Sequence, residues 1–205
     1  MNYIFFDLDG TLHQQDMLEA YLKFMIRIRP VWTVLSFPIL LGCFLFYILF
    51  SKKTWGLNPL FFIIHFGLFR KKQAHLVRVF KTEFLDEVHP VNSMLKQLKQ
   101  HIQAGDYIVI ISGSLQSLIE TVYPQLTKHK KIKVIGSQTQ PFLGSTILTS
   151  RCSGRNKLKL LDEQFAPQKI KFEVGYTDSL ADLPVLKRCK WAYLVNENGK
   201  ITLVN

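Results

Sequence analysis

The chain reads as an α/β protein built on a Rossmann-like, doubly wound parallel sheet, with a helical, membrane-associated cap inserted into it. Three observations predict this. Short apolar runs of strand length recur along the 205 residues and alternate with stretches of helical spacing, the pattern of a sheet covered on both faces. Small polar motifs follow several of those runs, and ligands of such sheets bind at the carboxyl ends of the strands. A long stretch without acidic residues interrupts the alternation near the start.

Tyr3 to Asp7 predicts the first strand, with Ile4, Phe5 and Phe6 forming a continuous apolar run that ends in a carboxylate. Met94, Leu95, Leu98 and Ile102 recur at helical spacing, and Gly105 stops a helix over Val91–Ala104. Tyr107–Ile111 is the next strand and ends at Ser112-Gly113-Ser114. A helix is expected over Leu115–Leu126, a strand over Ile132–Ile135, a helix over Lys157–Phe165 and a strand over Phe172–Gly175. Ala192–Val195, the turn Asn196-Glu197-Asn198-Gly199 and a strand near Ile201–Val204 close the chain. There is no internal repeat or low-complexity tract.

Residues 13–88 break this pattern and divide the chain into a core, 1–12 with 89–205, and an insertion. Within it, Ala20–Thr82 carries nearly all of the chain's net charge of +11, with ten basic residues and no Asp or Glu. The remainder is nearly neutral, with 16 basic against 15 acidic residues. Two apolar runs lie within the insertion: Val31–Phe50, uncharged over 20 residues, and Thr54–Phe69, uncharged over 16. Basic residues flanking long apolar runs suit an anionic lipid surface. They suit nucleic acid poorly, because no polar groove separates them. The bland reading is a soluble helical cap, but an uncharged run of this length is hard to bury in so small a bundle. The three cysteines, Cys43, Cys152 and Cys189, have no metal-ligand spacing and are odd in number. They predict free thiols in a reducing compartment.

Four motifs bear chemistry, each with an ordinary alternative. Asp7-Leu8-Asp9-Gly10-Thr11 sets two carboxylates two residues apart, suited to a nucleophile and an acid/base, or is simply a strand-end turn. Ser112-Gly113-Ser114 offers a hydroxyl and bare amides to a phosphate, or caps a helix. Lys157, after Gly154-Arg155-Asn156, neutralises a phosphoryl charge or is a solvated lysine. Asp178 and Asp182, four apart after Gly175-Tyr176-Thr177, suit a hard cation, or open an acidic helix.

Taken in order and spacing, the four motifs resemble the haloacid dehalogenase superfamily from residue 3 to about 195, and within it the phosphoserine-phosphatase-like subgroup. That resemblance implies the haloacid dehalogenase fold with a cap inserted after the first motif. It implies Asp7 as nucleophile, and Asp9 as the acid that protonates the leaving alkoxide and then the base that activates water. Ser112, Gly113 and Thr11 are implied to bind phosphate. Mg²⁺ is implied on Asp7, Asp9 (through its carbonyl) and Asp178, with Lys157 steadying charge and Asp182 supporting it. Many relatives carry Gly-Asp at the fourth motif. Here Tyr176 follows Gly175, and the Asp-to-Asp spacing assigns the metal to Asp178. Dehalogenases of the superfamily lack the second Asp, so Asp9 implies a phosphatase.

A closer resemblance is to the bacterial phosphatidylglycerophosphatase C family. It is carried by Phe5 to Met17, Gly113-Ser114 with Val122-Tyr123, Ser137-Gln138, Leu148-Thr149 with Arg151-Cys152, and Gly175-Tyr176 with Asp178-Ser179. It implies dephosphorylation of phosphatidylglycerophosphate at the cytoplasmic face of the inner membrane. The partners expected are an anionic phospholipid substrate and the membrane, with no nucleic acid. Phosphatases of small soluble esters such as phosphoserine, or a non-catalytic membrane-binding module, are the alternatives.

Catalysis constrains topology. Asp7 precedes the insertion and its partners follow it, so a single membrane crossing is excluded. A hairpin in the cytoplasmic leaflet is expected over two spans, because Lys52 and Lys53 lie at its tip and the second run is short. Pro38 and Pro59 are expected to kink the helices. No cleaved signal peptide is expected, since the apolar run starts only at residue 31 and its removal would delete Asp7. His13, Arg151 and Arg155 are read as packing or surface residues.

Overall fold

The computed structural model describes residues 2–50 and 57–204. The sheet order is β4-β3-β2-β1-β5-β6-β7. β1 (Tyr3–Phe6) lies in its centre, paired in parallel with β2 (Tyr107–Leu115) on one side and β5 (Phe172–Thr177) on the other. β3 (Ile132–Phe142) and β6 (Cys189–Val195) extend the parallel part, and β4 (Ser145–Ser150) and β7 (Ile201–Leu203) close its edges antiparallel.

The pleat sends alternate side chains of β1 to opposite faces. Ile4 and Phe6 join a core with Met94 and Leu98 of α5 (Asn92–Ala104) and Leu118 of α6 (Gln116–Val122). Phe5 joins a second core with Leu161 of α8 (Arg155–Phe165) and with Val185 and Leu186 of α9 (Leu183–Leu186). Both faces of the strand are buried, which explains its unbroken apolar run. A Cβ at Gly175 would collide with the Cys189 thiol and press on the Phe5 ring. Tyr176 stacks on Phe6 at 4.8 Å and on Tyr193 at 5.6 Å, so it is a packing residue.

Two expectations about the core need correction. The helix expected over Leu115–Leu126 is divided into α6 and α7 (Pro124–Thr127), because Pro124 has no N–H to continue the ladder. The strand expected to end at Ile135 runs on to Phe142. Its second half, Gln138–Phe142, pairs with β4, which was not foreseen. That half is polar and leaves the sheet's hydrophobic layer, so no apolar run announces it.

The insertion contains α1 (Met17–Ile28), α2 (Pro30–Phe50), α3 (Asn58–His65) and α4 (Arg70–Glu87). The chain enters and leaves side by side: Gln14 N–H donates to His89 O at 3.0 Å and Val91 N–H to Leu12 O at 3.0 Å. Asp16 caps α1 by accepting from Glu19 N–H at 2.8 Å. Tyr21, Phe24, Phe61, Phe80 and Phe84 are buried together, and the Tyr21 hydroxyl meets His65 Nε2 at 2.9 Å.

The two apolar runs therefore have different fates. α3 is packed into this core and against β4. Leu148 N–H donates to Asn58 Oδ1 at 2.7 Å, and Pro59 starts the helix where a kink was expected. Its 8 residues rise only about 12 Å, well short of a ~30 Å hydrocarbon core. α2 instead leaves Val34, Leu35, Phe37, Ile39 and Leu45 exposed and carries Pro38 within it. Taken over the described residues, no helix is long and apolar enough to cross a membrane. Lys52 and Lys53, expected at a hairpin tip, lie outside the described residues.

Candidate active site

The ends of β1, β2 and β5 converge on one cavity of about 320 Å³, walled by Asp7, Asp9, Gly10, Gly113, Lys157, Asp178 and Asp182 among others. Asp7 directly follows β1, and its N–H donates to Tyr176 O at 2.9 Å, so the β1–β5 pairing fixes it. Lys157, in the first turn of α8, is buried and bridges two carboxylates. Its Nζ donates to Asp7 Oδ2 at 2.8 Å and to Asp182 Oδ2 at 2.6 Å.

One lysine shared by two carboxylates leaves a negative charge uncompensated. Burial raises the Asp7 carboxyl to about 7, opposed by Lys157 and reinforced by Asp182. Burial works against the Lys157 charge, but Asp7 and Asp182 outweigh it and hold the ammonium above its usual range. Thr177, at the end of β5, donates to Asp182 Oδ2 at 2.9 Å and lies 3.3 Å from Asp7 Oδ2. Asp7 Oδ1 accepts only the Leu8 N–H, at 2.8 Å, among the described residues.

Asp9 faces β2. Its Oδ2 accepts from the Ser112 hydroxyl at 2.5 Å and the Ser114 hydroxyl at 2.9 Å, and its Oδ1 accepts from Met17 N–H at 2.9 Å. Burial raises its carboxyl, with His13 and then Ser112 opposing. The His13 ring lies 3.8 Å from Asp9 Oδ1, stacks on Tyr123, and has no hydrogen-bond partner for either nitrogen among the described residues. Burial lowers its pKa.

Asp178 is exposed, yet its carboxylate lies against the turn: a Cβ at Gly10 would collide with it, and Gly10 sits at φ 72°. Loss of surrounding water, and then the Asp7 charge, hold its carboxyl above the usual range.

These positions refine the expected roles. Asp7, Asp9, Gly113, Lys157, Asp178 and Asp182 meet in one cavity, and Lys157 is buried rather than solvated. Ser112 is fully buried and spends its hydroxyl on Asp9, so it does not present that hydroxyl to the cavity in this arrangement. Thr11 was expected to bind phosphate, but it is fully buried, lies off the cavity wall and has no partner for its hydroxyl among the described residues. Its short side chain is enclosed behind the Gly10 turn. Arg151 reaches the cavity wall, whereas Arg155 is exposed away from it. Thr177 and Ser114 were not singled out by sequence, although both lie inside recognised motifs. Cys152 is also on the wall, but burial pushes its thiol up to about 12, so it is no competing nucleophile.

The donor chemistry fits a hard dication. The Asp7 charge raises the Asp178 carboxyl beside the Asp9 turn, and carboxylate with carbonyl oxygen is the ligand set Mg²⁺ prefers. Among the described residues no three His, Cys, Asp or Glu side chains form a cage. A site of two carboxylates, one backbone carbonyl and substrate or water oxygens requires none.

The sequence model of the haloacid dehalogenase-like hydrolases matches residues 4–187. Among solved structures, a protein of unknown function from Bordetella pertussis Tohama I aligns with a TM-score of 0.64 at 14% identity, over 91% of this chain and 86% of its own. A substrate-bound phosphoserine phosphatase aligns with a TM-score of 0.58 at 12% identity, over 94% and 84%. A phosphoserine phosphohydrolase-like protein from Francisella tularensis subsp. tularensis SCHU S4 gives 0.55 at 14%, over 94% and 86%. At these identities the likeness is one of fold.

Proposed function

The chain belongs to the haloacid dehalogenase-like hydrolase family, and we propose that it is a phosphatase of lipid phosphomonoesters working through an aspartyl-phosphate on Asp7. The observation that carries the chemistry is Asp7 held between Lys157 and Thr177 in a cavity shared with Asp9 and Asp178.

Asp7 Oδ2 is held by Lys157, so Oδ1, bound by one backbone N–H, is the oxygen that attacks phosphorus. The ester P–O bond breaks, and the leaving alkoxide takes a proton from Asp9. Its burial-raised carboxyl favours that protonated start. Asp9 then takes a proton from water, which attacks the phosphorus and frees Asp7 and phosphate. For both steps Asp9 turns from Ser112 and Ser114 toward the cavity, which releases the Ser112 hydroxyl to join the Gly113 amide on the phosphate. Lys157 balances the charge of the Asp7 adduct. Asp7, Asp178 and the Asp9 carbonyl would hold Mg²⁺, which when bound neutralises charge on the phosphoryl oxygens.

The substrate reading rests on the acid-free stretch Ala20–Thr82 and on the exposed Val34, Leu35, Phe37, Ile39 and Leu45 of α2, which suit a lipid surface. Phosphatidylglycerophosphate is the lipid proposed, with the core on the cytoplasmic side of the membrane and the insertion held in one leaflet. A second reading, a phosphatase of small soluble phosphomonoesters, is favoured by the phosphoserine phosphatases that share the fold. Comparing phosphatidylglycerophosphate, lysophosphatidic acid and phosphoserine, each with Mg²⁺ and with EDTA, separates the two. The lipid reading expects the highest kcat/KM on phosphatidylglycerophosphate and loss of turnover in EDTA. Preference for phosphoserine would refute it.

A further inference from the structure

Two turns far apart in sequence present large apolar side chains side by side. The turn between α3 and α4 carries Phe69, 83% exposed, and the turn between β3 and β4 carries Leu143, 75% exposed. Phe66 and Phe142 beside them are also exposed. The turns are joined. Gly67 N–H donates to Gly144 O at 3.1 Å, the Ser145 hydroxyl donates to Phe62 O at 2.5 Å, and the Phe62 ring contacts Phe66 at 5.5 Å and Phe142 at 6.3 Å. Trp32 stacks on Phe66 at 5.7 Å and so ties the first turn of α2 to the same patch.

Leu143 sits at φ 44°, in the left-handed region that favours Gly or Asn. The position therefore carries backbone strain and an apolar side chain in water together, with little packing to offset either. Arg70, Lys71 and Lys72 follow Phe69 at once and are exposed, with no acidic residue from Ala20 to Thr82. An apolar centre with a basic rim complements an anionic lipid surface. It does not complement a second copy of itself, whose rim would repel. β4 leads from this turn to Arg151 on the active-site wall, so the patch and the cavity share one structural element.

We propose, building on the lipid reading above, that Phe66, Phe69, Phe142 and Leu143 form one wedge. Rimmed by Arg70–Lys72, it enters the surface of an anionic bilayer and fixes how the cavity faces it.

The test uses the full chain with Cys43 replaced by Ser and an environment-sensitive dye on L143C. Cys152 and Cys189 are buried. On vesicles of phosphatidylglycerol and phosphatidylcholine the dye should shift to the blue and be quenched by nitroxide lipids, while a dye on E163C should stay in water. The double variant F69S/L143N should partition at least ~10-fold more weakly, as losing two large apolar contacts with lipid requires. Its turnover of p-nitrophenyl phosphate should be unchanged. A dye at 143 that stays in water, or a double variant that binds like the parent, would overturn the proposal. So would a dimer that the double variant abolishes, which would assign the patch to a second copy. Hydrolysis of phosphatidylglycerophosphate in detergent is read separately; its failure would sink the substrate reading and leave the insertion result standing.

Discussion

Asp7→Asn is expected to lower kcat by about 10⁴-fold or more, the scale at which removal of a nucleophile abolishes covalent catalysis, while stabilising the metal-free protein at pH 8. The amide keeps the size of the carboxylate but cannot form the phosphoryl adduct. The stability effect follows from the raised carboxyl, about 7 in the fold against 3.8 without it. Below about pH 4 folded and unfolded chains both hold the proton, and the contribution of Asp7 is fully present. As pH rises through 7 the folded state gives up the proton and that stability is lost. Above this range the carboxylate burdens the fold, because Lys157 is already shared with Asp182. Calorimetry in EDTA should therefore find the variant's Tm gain larger at pH 8 than at pH 5. An equal gain at both would contradict the cluster's electrostatics.

Lys157→Met is the second large effect. It removes the cation between two buried carboxylates and leaves them facing each other. Breaking a buried pair from one side costs about 3–5 kcal/mol. Losing the charge that steadies the adduct should lower kcat by about 10²–10³-fold. The two consequences separate by pH. Without Lys157 the Asp7 carboxyl loses its main opposing charge and is held higher still, so the variant protonates it as pH falls. The stability deficit should be largest at pH 8 and shrink at pH 5, whereas activity stays low at both. Urea unfolding at the two pH values, with turnover of p-nitrophenyl phosphate, measures this. A deficit that does not change with pH would place the lysine's role in packing.

The parts of the fold that were legible in the sequence are those where one physical pattern dominates. β1 and β2 are buried on both faces, so their apolar runs are continuous; Asp7 follows β1 at the expected edge, while Ser112 lies within β2, which runs past the expected end at Ile111 to Leu115. The outer half of β3 and all of β4 carry mixed side chains, because they pair beyond the main sheet and pack on α3 along one face only. The insertion was half legible. Its charge and apolar content stand out, but composition does not distinguish α3, which fills a core, from α2, which leaves Val34, Leu35, Phe37, Ile39 and Leu45 exposed. That difference arises from which helices α1 and α4 enclose.

In the site, the family resemblance carried by the four motifs named Asp7, Asp9, Lys157, Asp178 and Asp182, and all five line one cavity. It did not reveal that Lys157 is shared, that Thr177 joins it, or that Thr11 turns inward. Those facts depend on side-chain direction across three strands. Ser112 shows the same limit. Its motif places it at the strand end, while its hydroxyl is committed to Asp9.

The central claim is that Asp7 carries the phosphoryl group. Acid quenching during turnover of a phosphomonoester, followed by borohydride reduction and peptide mapping, tests it most directly, because an aspartyl-phosphate is reduced to homoserine. The account predicts homoserine at position 7, dependent on substrate and absent from Asp7→Asn. Reduction at another carboxylate, or none while phosphate is still released, would contradict it.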